Sequence, residues 1–177
     1  FPSANPAAPC AEGSPVSAMQ PPSLRQRALA LLARRDCSRA ELERKLAAHA
    51  QAPGQLAALL DDLTRRGWLS DARAAEALVA RKAARWGDAR LRQALAERGI
   101  EAHAARAALA QVGENAGSEH ERARALWRER FGASAAALRT DRLLWARQAR
   151  FLHTRGFGAE VVRRVLDEAM RSAVEDS

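Results

Sequence analysis

Tyrosine is absent from the 177 residues, isoleucine occurs once, threonine three times and valine seven times. So little β-branched and aromatic material cannot furnish a set of pleated strands, which excludes a sandwich, a barrel or a parallel sheet as the main architecture. Cysteine is confined to Cys10 and Cys37. Two are too few for a disulfide scaffold, and neither stands in the CxxC spacing of a zinc or redox site, so a reduced, cytoplasmic setting is expected. No run of eighteen apolar residues is present, and the first residues lack the basic and then apolar stretches of a secretory leader, so no membrane association is expected.

Catalytic patterns are equally scarce. His49, His103, His120 and His153 are scattered, with no HExxH and no i,i+4 pair to hold a metal. GxxxxGK[ST], GxGxxG and GxSxG are all missing, which removes the common phosphate cradles and the nucleophile elbow. Asp61-Asp62 and Asp167-Glu168 are adjacent acids that point about 100° apart on a helix, a poor geometry for a shared metal. A non-enzymatic protein without a cofactor is the expectation.

Alanine, at 43 residues, and leucine, at 21, dominate what is present. Both are strong helix formers, so the expected fold class is all-α. Leu, Val, Ile and Phe together supply only 33 residues, a thin core. Thin cores suit an elongated, solenoid-like array in which each unit leans on the next. Lysine is nearly missing: 27 of the 29 basic residues are arginine, against 21 acids, giving a net charge of +8 and a pI near 11.1. That balance favours a polyanionic or acidic partner, nucleic acid first.

Residues 1–23 hold six of the seven prolines and no Lys or Arg, and read as a disordered N-terminal tail. The chain begins at Phe1 while Met19 stands just before the first helical pattern, so residues 1–18 are either a native tail or a misassigned start. From Leu24 the pattern is helix after helix. Leu24, Ala28, Leu31, Leu32 and Arg35 form one stripe ending in a basic last turn. Ser38 with Glu41 makes a capping box for a helix carrying Leu42 and Leu46. Pro53-Gly54 ends that run, and Leu56, Leu59, Leu60 and Leu63 follow. Ser70 caps a helix expected over 71–86, and Gly87-Asp88 stops it. Ser118 and Glu121 form a further capping box, and Thr140 or Asp141 opens a helix through Leu144, Gln148, Phe151 and Leu152.

A six-residue string recurs at Leu63–Trp68, Leu95–Ile100 and Leu152–Phe157, with the consensus Leu-x-x-Arg-Gly-apolar. With Gly as C′, Leu and the apolar residue are the pair that touch in a Schellman helix ending, and Arg faces the negative end of the dipole as a cap. Beyond the string, Leu95, Gly99, Ile100, Ala105 and Leu109 match Leu152, Gly156, Phe157, Val162 and Leu166 at a constant offset of 57. Leu42 and Leu46 match Leu91 and Leu95 at 49, although the turn at 50–54 differs. Three tandem three-helix repeats are therefore expected at 24–69, 70–113 and 119–171, with a linker at 114–118 and a C-terminal tail at 172–177.

Arginines near the C-terminus have acids at helical spacing: Glu160–Arg164, Arg163–Asp167 and Arg164–Glu168. Helix 71–86 differs. Arg81 and Arg85 are a like-charged i,i+4 pair, Lys82 adjoins them, Arg90 and Arg92 open the next helix, and Glu76 is the sole acid between Arg73 and Asp88. Such repulsion is relieved by an anionic partner. Arg73, Arg81, Lys82, Arg85, Arg90 and Arg92 are thus the expected binding surface. Arg122, Arg124 and Arg128, with Arg130, form a secondary patch diluted by Glu119, Glu121 and Glu129. Trp86 reads as core packing rather than base stacking.

Asp71-Ala-Arg73-Ala-Ala75-Glu76-Ala-Leu-Val79-Ala-Arg81, then Arg85-Trp86-Gly87, Arg90-Leu91, Leu95 and Arg98-Gly99-Ile100, resemble the RecX family of recombinase regulators. The preceding Gly67-Trp68-Leu69-Ser70 fits the same pattern, and the resemblance spans about 24–171. Departures stand at Ala74, where the family usually has Phe, and at Asp88-Ala89, where Gly-Pro is common. The resemblance implies a non-enzymatic protein that binds the RecA recombinase filament on single-stranded DNA, and a monomer is expected. It implies limits on filament extension, strand exchange, ATPase and coprotease activity in DNA repair, homologous recombination and the SOS response. Double-stranded DNA is expected as a further, salt-sensitive partner. Two other readings remain: a helix–turn–helix DNA-binding transcriptional regulator, with Leu56–Leu69 as recognition helix and wing entry, and a helical adaptor without nucleic-acid affinity.

Overall fold

Alanine and leucine at helical spacing, punctuated by Ser caps and Gly stops, produce an all-helical chain. The structure, a computed structural model, describes residues 21–132 and 136–175. Its helices are α1 (Leu24–Leu32), α2 (Arg39–Leu46), α3 (Gln55–Arg65), α4 (Asp71–Lys82), α5 (Asp88–Glu97), α6 (Ala102–Asn115), α7 (Glu119–Phe131), α8 (Arg142–Thr154) and α9 (Ala159–Glu175). Residues 1–20 of the expected tail lie outside the described residues, while Ser23 at its end caps α1 by a capping box with Gln26. Of the Ala/Ser stretch, 133–135 also lie outside.

Several helix ends differ from the reading above. The α1 helix stops at Leu32, so Arg35 stands beyond it and holds Glu41 of α2 with both terminal nitrogens. That hydrogen bond keeps the Glu41 carboxyl below the usual carboxylate range. The α4 helix ends at Lys82 rather than at residue 86 and passes into a turn, where Arg122 takes up the carbonyls of Ala83 and Trp86. The α6 helix reaches Asn115, into the expected linker, and α9 continues to Glu175, through residues expected to be tail.

Three buried clusters sit along the chain. Leu42, Leu46, Leu60 and Leu63 centre the first, within α1–α3. Leu78, Val79, Leu91 and Leu95 centre the second, within α4–α6, where Ala74 is buried in place of the bulkier Phe of the resembled pattern. Trp127, Leu152, Val165 and Leu166 centre the third, within α7–α9, where the Trp127 indole donates to the buried Gln148 amide oxygen at 2.6 Å. Leu and Ala suffice because no helix needs to cover more than a narrow stripe.

The recurring glycine string forms a Schellman ending all three times. Trp68, Ile100 and Phe157 donate their N–H to the carbonyls of Leu63, Leu95 and Leu152, while Gly67, Gly99 and Gly156 hold φ of 71°, 68° and 82°. The motif leaves the last carbonyls of each helix without partners inside it. For α5, Arg44 of the first unit donates to Glu97 O at 3.1 Å and the Ser38 hydroxyl to Arg98 O at 2.5 Å. For α8, Arg90 of the second unit donates to Thr154 O at 3.0 Å and the Gly87 N–H to Arg155 O at 2.8 Å. Glu97 corresponds to Thr154, Arg98 to Arg155 and Ser38 to Gly87 by the same offsets of 57 and 49, so one joint is built twice. In each, the positive start of one helix meets the negative end of another.

Backbones approach most closely at the second joint. A Cβ on Gly87 would lie 2.3 Å from Gly156 O and Phe157 N. Gly87 has an ordinary φ of −76°, so space and not conformation demands glycine there. Behind it, the side chain of Arg122 from α7 is 5% exposed and ties Asp88 at 2.5 Å, Ala83 O at 3.1 Å and Trp86 O at 3.3 Å.

Gly87→Ala is expected to lower unfolding free energy by about 1–3 kcal/mol through overpacking against fixed backbone. Gly113→Ala, inside α6 with nothing within 4 Å of the new methyl, is expected to raise it by about 0.5–1 kcal/mol. Urea denaturation compares them, and equal stability of Gly87→Ala and the parent would refute the close joint. Arg122→Met should cost on the order of 3 kcal/mol, because Asp88 and two carbonyls lose their partner. Adding Asp88→Asn should recover part of that loss in the same measurement.

Candidate functional site

Most arginines of the first unit and of α9 are spoken for. Asp62 receives Arg66 at 2.9 Å and Arg25 at 2.9 Å, which holds its carboxyl below the usual range, the Arg66 bond contributing most. Arg39 meets Asp61 at 2.7 Å. In α9, Arg163 takes Glu160 at 2.5 Å and Asp167 at 3.2 Å, and Arg164 takes Glu168 at 3.1 Å. Glu160 thus pairs at i,i+3 with Arg163 instead of at i,i+4 with Arg164. Among the described residues no group of three or more His, Cys, Asp or Glu could hold a metal ion. Nor is any helix there long and apolar enough to cross a membrane.

The expected binding surface divides in two. Arg73 is not uncompensated: it meets Asp36 of the first unit at 3.3 Å and donates to the carbonyls of Gly67 and Trp68 at 2.8 and 3.2 Å. Counting acids along the chain could not find Asp36, which lies 37 residues away. Arg90 is likewise committed to Thr154 O, and its guanidinium covers the Trp86 ring at 4.6 Å. Lys82 approaches the same ring at 5.0 Å, so Trp86 is half-buried between two cations against the second core. Arg81, Arg85 and Arg92 are exposed and have no ion pair among the described residues. In the secondary patch Arg124 and Arg128 are exposed, whereas Arg122 is removed from the surface altogether by its role in the joint.

Two further arginines join Arg85 where the second and third units meet. Arg85, Arg130 and Arg155 line one open hollow with Leu126, Phe151 and the single acid Glu129. Arg155 lies over the Phe151 ring at 3.7 Å and reaches Phe151 O only at 3.4 Å. Its guanidinium is held below the usual arginine range, first by desolvation and then by the charges of Arg130, Arg90 and Arg85. Reading all three motif arginines as caps missed this. The distinguishing signal is the residue four positions earlier: Asp62 before Arg66, Ala94 before Arg98 and Phe151 before Arg155. Where the first copy supplies a carboxylate, the third supplies a ring, which orients the cation without neutralising it.

The arrangement is a set of exposed or partly exposed guanidinium groups spread over two units. Residues 70–109 match the sequence pattern of the RecX second three-helix domain, and residues 118–166 that of the RecX third three-helix domain. The regulatory protein RecX of Leptothrix cholodnii is 50% identical over 144 residues, 81% of this chain and 87% of that protein. That of Ralstonia nicotianae is 45% identical over 150 residues, covering 85% and 90%. That of Neisseria gonorrhoeae is 40% identical over 155, covering 88% and 96%. The crystal structure of RecX from Lactobacillus salivarius superposes with a TM-score of 0.68 at 19% identity, over 82% of this chain and 94% of that one, a likeness of fold. With both three-helix patterns matched and relatives this similar along most of its length, the chain belongs to the RecX family of regulatory proteins.

Proposed function

We propose that this protein is a non-enzymatic modulator of the RecA recombinase, binding the RecA filament on single-stranded DNA and limiting its extension, strand exchange, ATPase and coprotease activity. Family membership supports a regulator. The observation that carries the nucleoprotein partner is the charge distribution: Arg81, Arg85 and Arg92 stand exposed without acids, while Arg163 and Arg164 of α9 are paired. A row of tandem units can follow a helical filament over more than one subunit, adding many weak contacts. The winged helix–turn–helix reading is less well supported, since the chain after Leu69 runs straight into α4, where a wing would have to stand.

Added to RecA filaments, the protein is expected to reduce their ATP hydrolysis while hydrolysing none alone. Single-strand affinity should fall with salt, at a slope near ~0.7 per phosphate contact. Reversing Arg81 and Arg85 to Glu should flatten that slope by roughly one to two contacts and weaken inhibition, with helicity by circular dichroism unchanged. Arg163 and Arg164 reversed likewise are the comparison and should alter the slope little. A larger effect from the α9 pair would move the binding surface to the third unit. Undiminished ATP hydrolysis at saturating protein would refute the reading.

A further inference from the structure

We infer that the hollow between the second and third units is a phosphate site, in which Arg85, Arg130 and Arg155 bind the backbone phosphodiester of a single-stranded nucleic acid and so brace the joint. The inference rests on the nucleoprotein reading above and adds to it a place and a consequence.

Three different elements supply the cations: the turn after α4, the end of α7 and the Schellman ending of α8. Arg85 belongs to one unit and Arg130 and Arg155 to the next, so their repulsion acts across the joint itself. Leu126 and Phe151 form part of the wall, and apolar walls strengthen any charge interaction beside them. Among the described residues that line the hollow, Glu129 is the one acid against three positive charges. Guanidinium forks match phosphate oxygens two at a time, which suits this residue choice better than lysine would.

Charge and shape together favour nucleic acid over an acidic protein segment. One bound phosphodiester would leave the hollow positive, with Arg81 four residues before Arg85 in the chain and Arg90 close enough to lower the Arg155 pKa. An occupant that carries further charges along the same strand answers both. The Arg155 guanidinium stacked on Phe151 at 3.7 Å is also a flat platform on which a base can stack, something a carboxylate side chain cannot use.

The link to the joint is direct. The carbonyl of Arg155 accepts the Gly87 N–H at 2.8 Å, and Gly156 O accepts the Ala89 N–H at 3.3 Å. A ligand that binds only when the two units are docked favours the docked state by linkage. Hydrogen exchange at the Gly87 and Ala89 amides therefore reports occupancy of the hollow.

The test uses the full chain with a labelled oligothymidylate, inorganic phosphate and polyglutamate as probes. Oligothymidylate is expected to slow exchange of the two amides several-fold. Arg130→Gln with Arg155→Gln should abolish that slowing and weaken oligonucleotide binding about tenfold or more, with cooperative thermal unfolding retained. Arg163→Gln should change neither. Equal protection by millimolar inorganic phosphate would overturn the nucleic-acid assignment in favour of a free ion, and equal protection by polyglutamate would overturn it in favour of an acidic protein segment. Unchanged affinity and protection in the double variant would overturn the site while leaving filament inhibition intact. Loss of filament inhibition in the parent protein would instead refute the preceding reading, whatever the amides report.

Discussion

A helix that ends in a Schellman turn still has carbonyls facing outward, and the way two of those groups are satisfied organises this molecule. At the end of α5 they are met by Arg44 and Ser38, and at the end of α8 by Arg90 and the Gly87 amide. Each unit thus completes the helix end of the next one. Apolar burial alone could not align them, since each Leu and Ala cluster lies within its own three helices. Directional hydrogen bonds at helix ends set the register between units, and the opposed dipoles add to the attraction.

The same joint sorts the arginines into two kinds. Those that supply hydrogen bonds to carbonyls or meet acids across units, such as Arg73 and Arg122, are fittings of the array. Among those left over, Arg85, Arg130 and Arg155 line one hollow beside the second joint. At the matching position Asp62 gives way to Phe151, so Arg66 is paired with a carboxylate whereas Arg155 lies over a ring. A duplicated helical unit can in this way keep its architecture while one copy of a motif changes role.

Much of this was legible beforehand. Ser38, Ser70 and Ser118 mark helix starts because a short hydroxyl accepts from an N–H three residues on, and Gly67, Gly99 and Gly156 mark helix ends because a left-handed φ suits glycine. Both are local rules. The arginine surface was only half legible. Arg81, Arg85 and Arg92 are exposed as expected, but Arg73, Arg90 and Arg122 found partners 37, 64 and 34 residues away.

The sequence by itself therefore determined the all-helical class, the serine caps, the recurring glycine stops and the family, all of which depend on neighbours within about one helical turn or on recurrence at a fixed offset. Tertiary structure alone decided which cations are free. A guanidinium on a flexible three-methylene arm is engaged by whatever acid or carbonyl packing brings to it, and neither Asp36 nor Thr154 announces itself in the local sequence. It also decided why Gly87 is glycine: its backbone angle would suit any residue, and only the Gly156 carbonyl of the next unit, pressed against it, leaves no room for a methyl group.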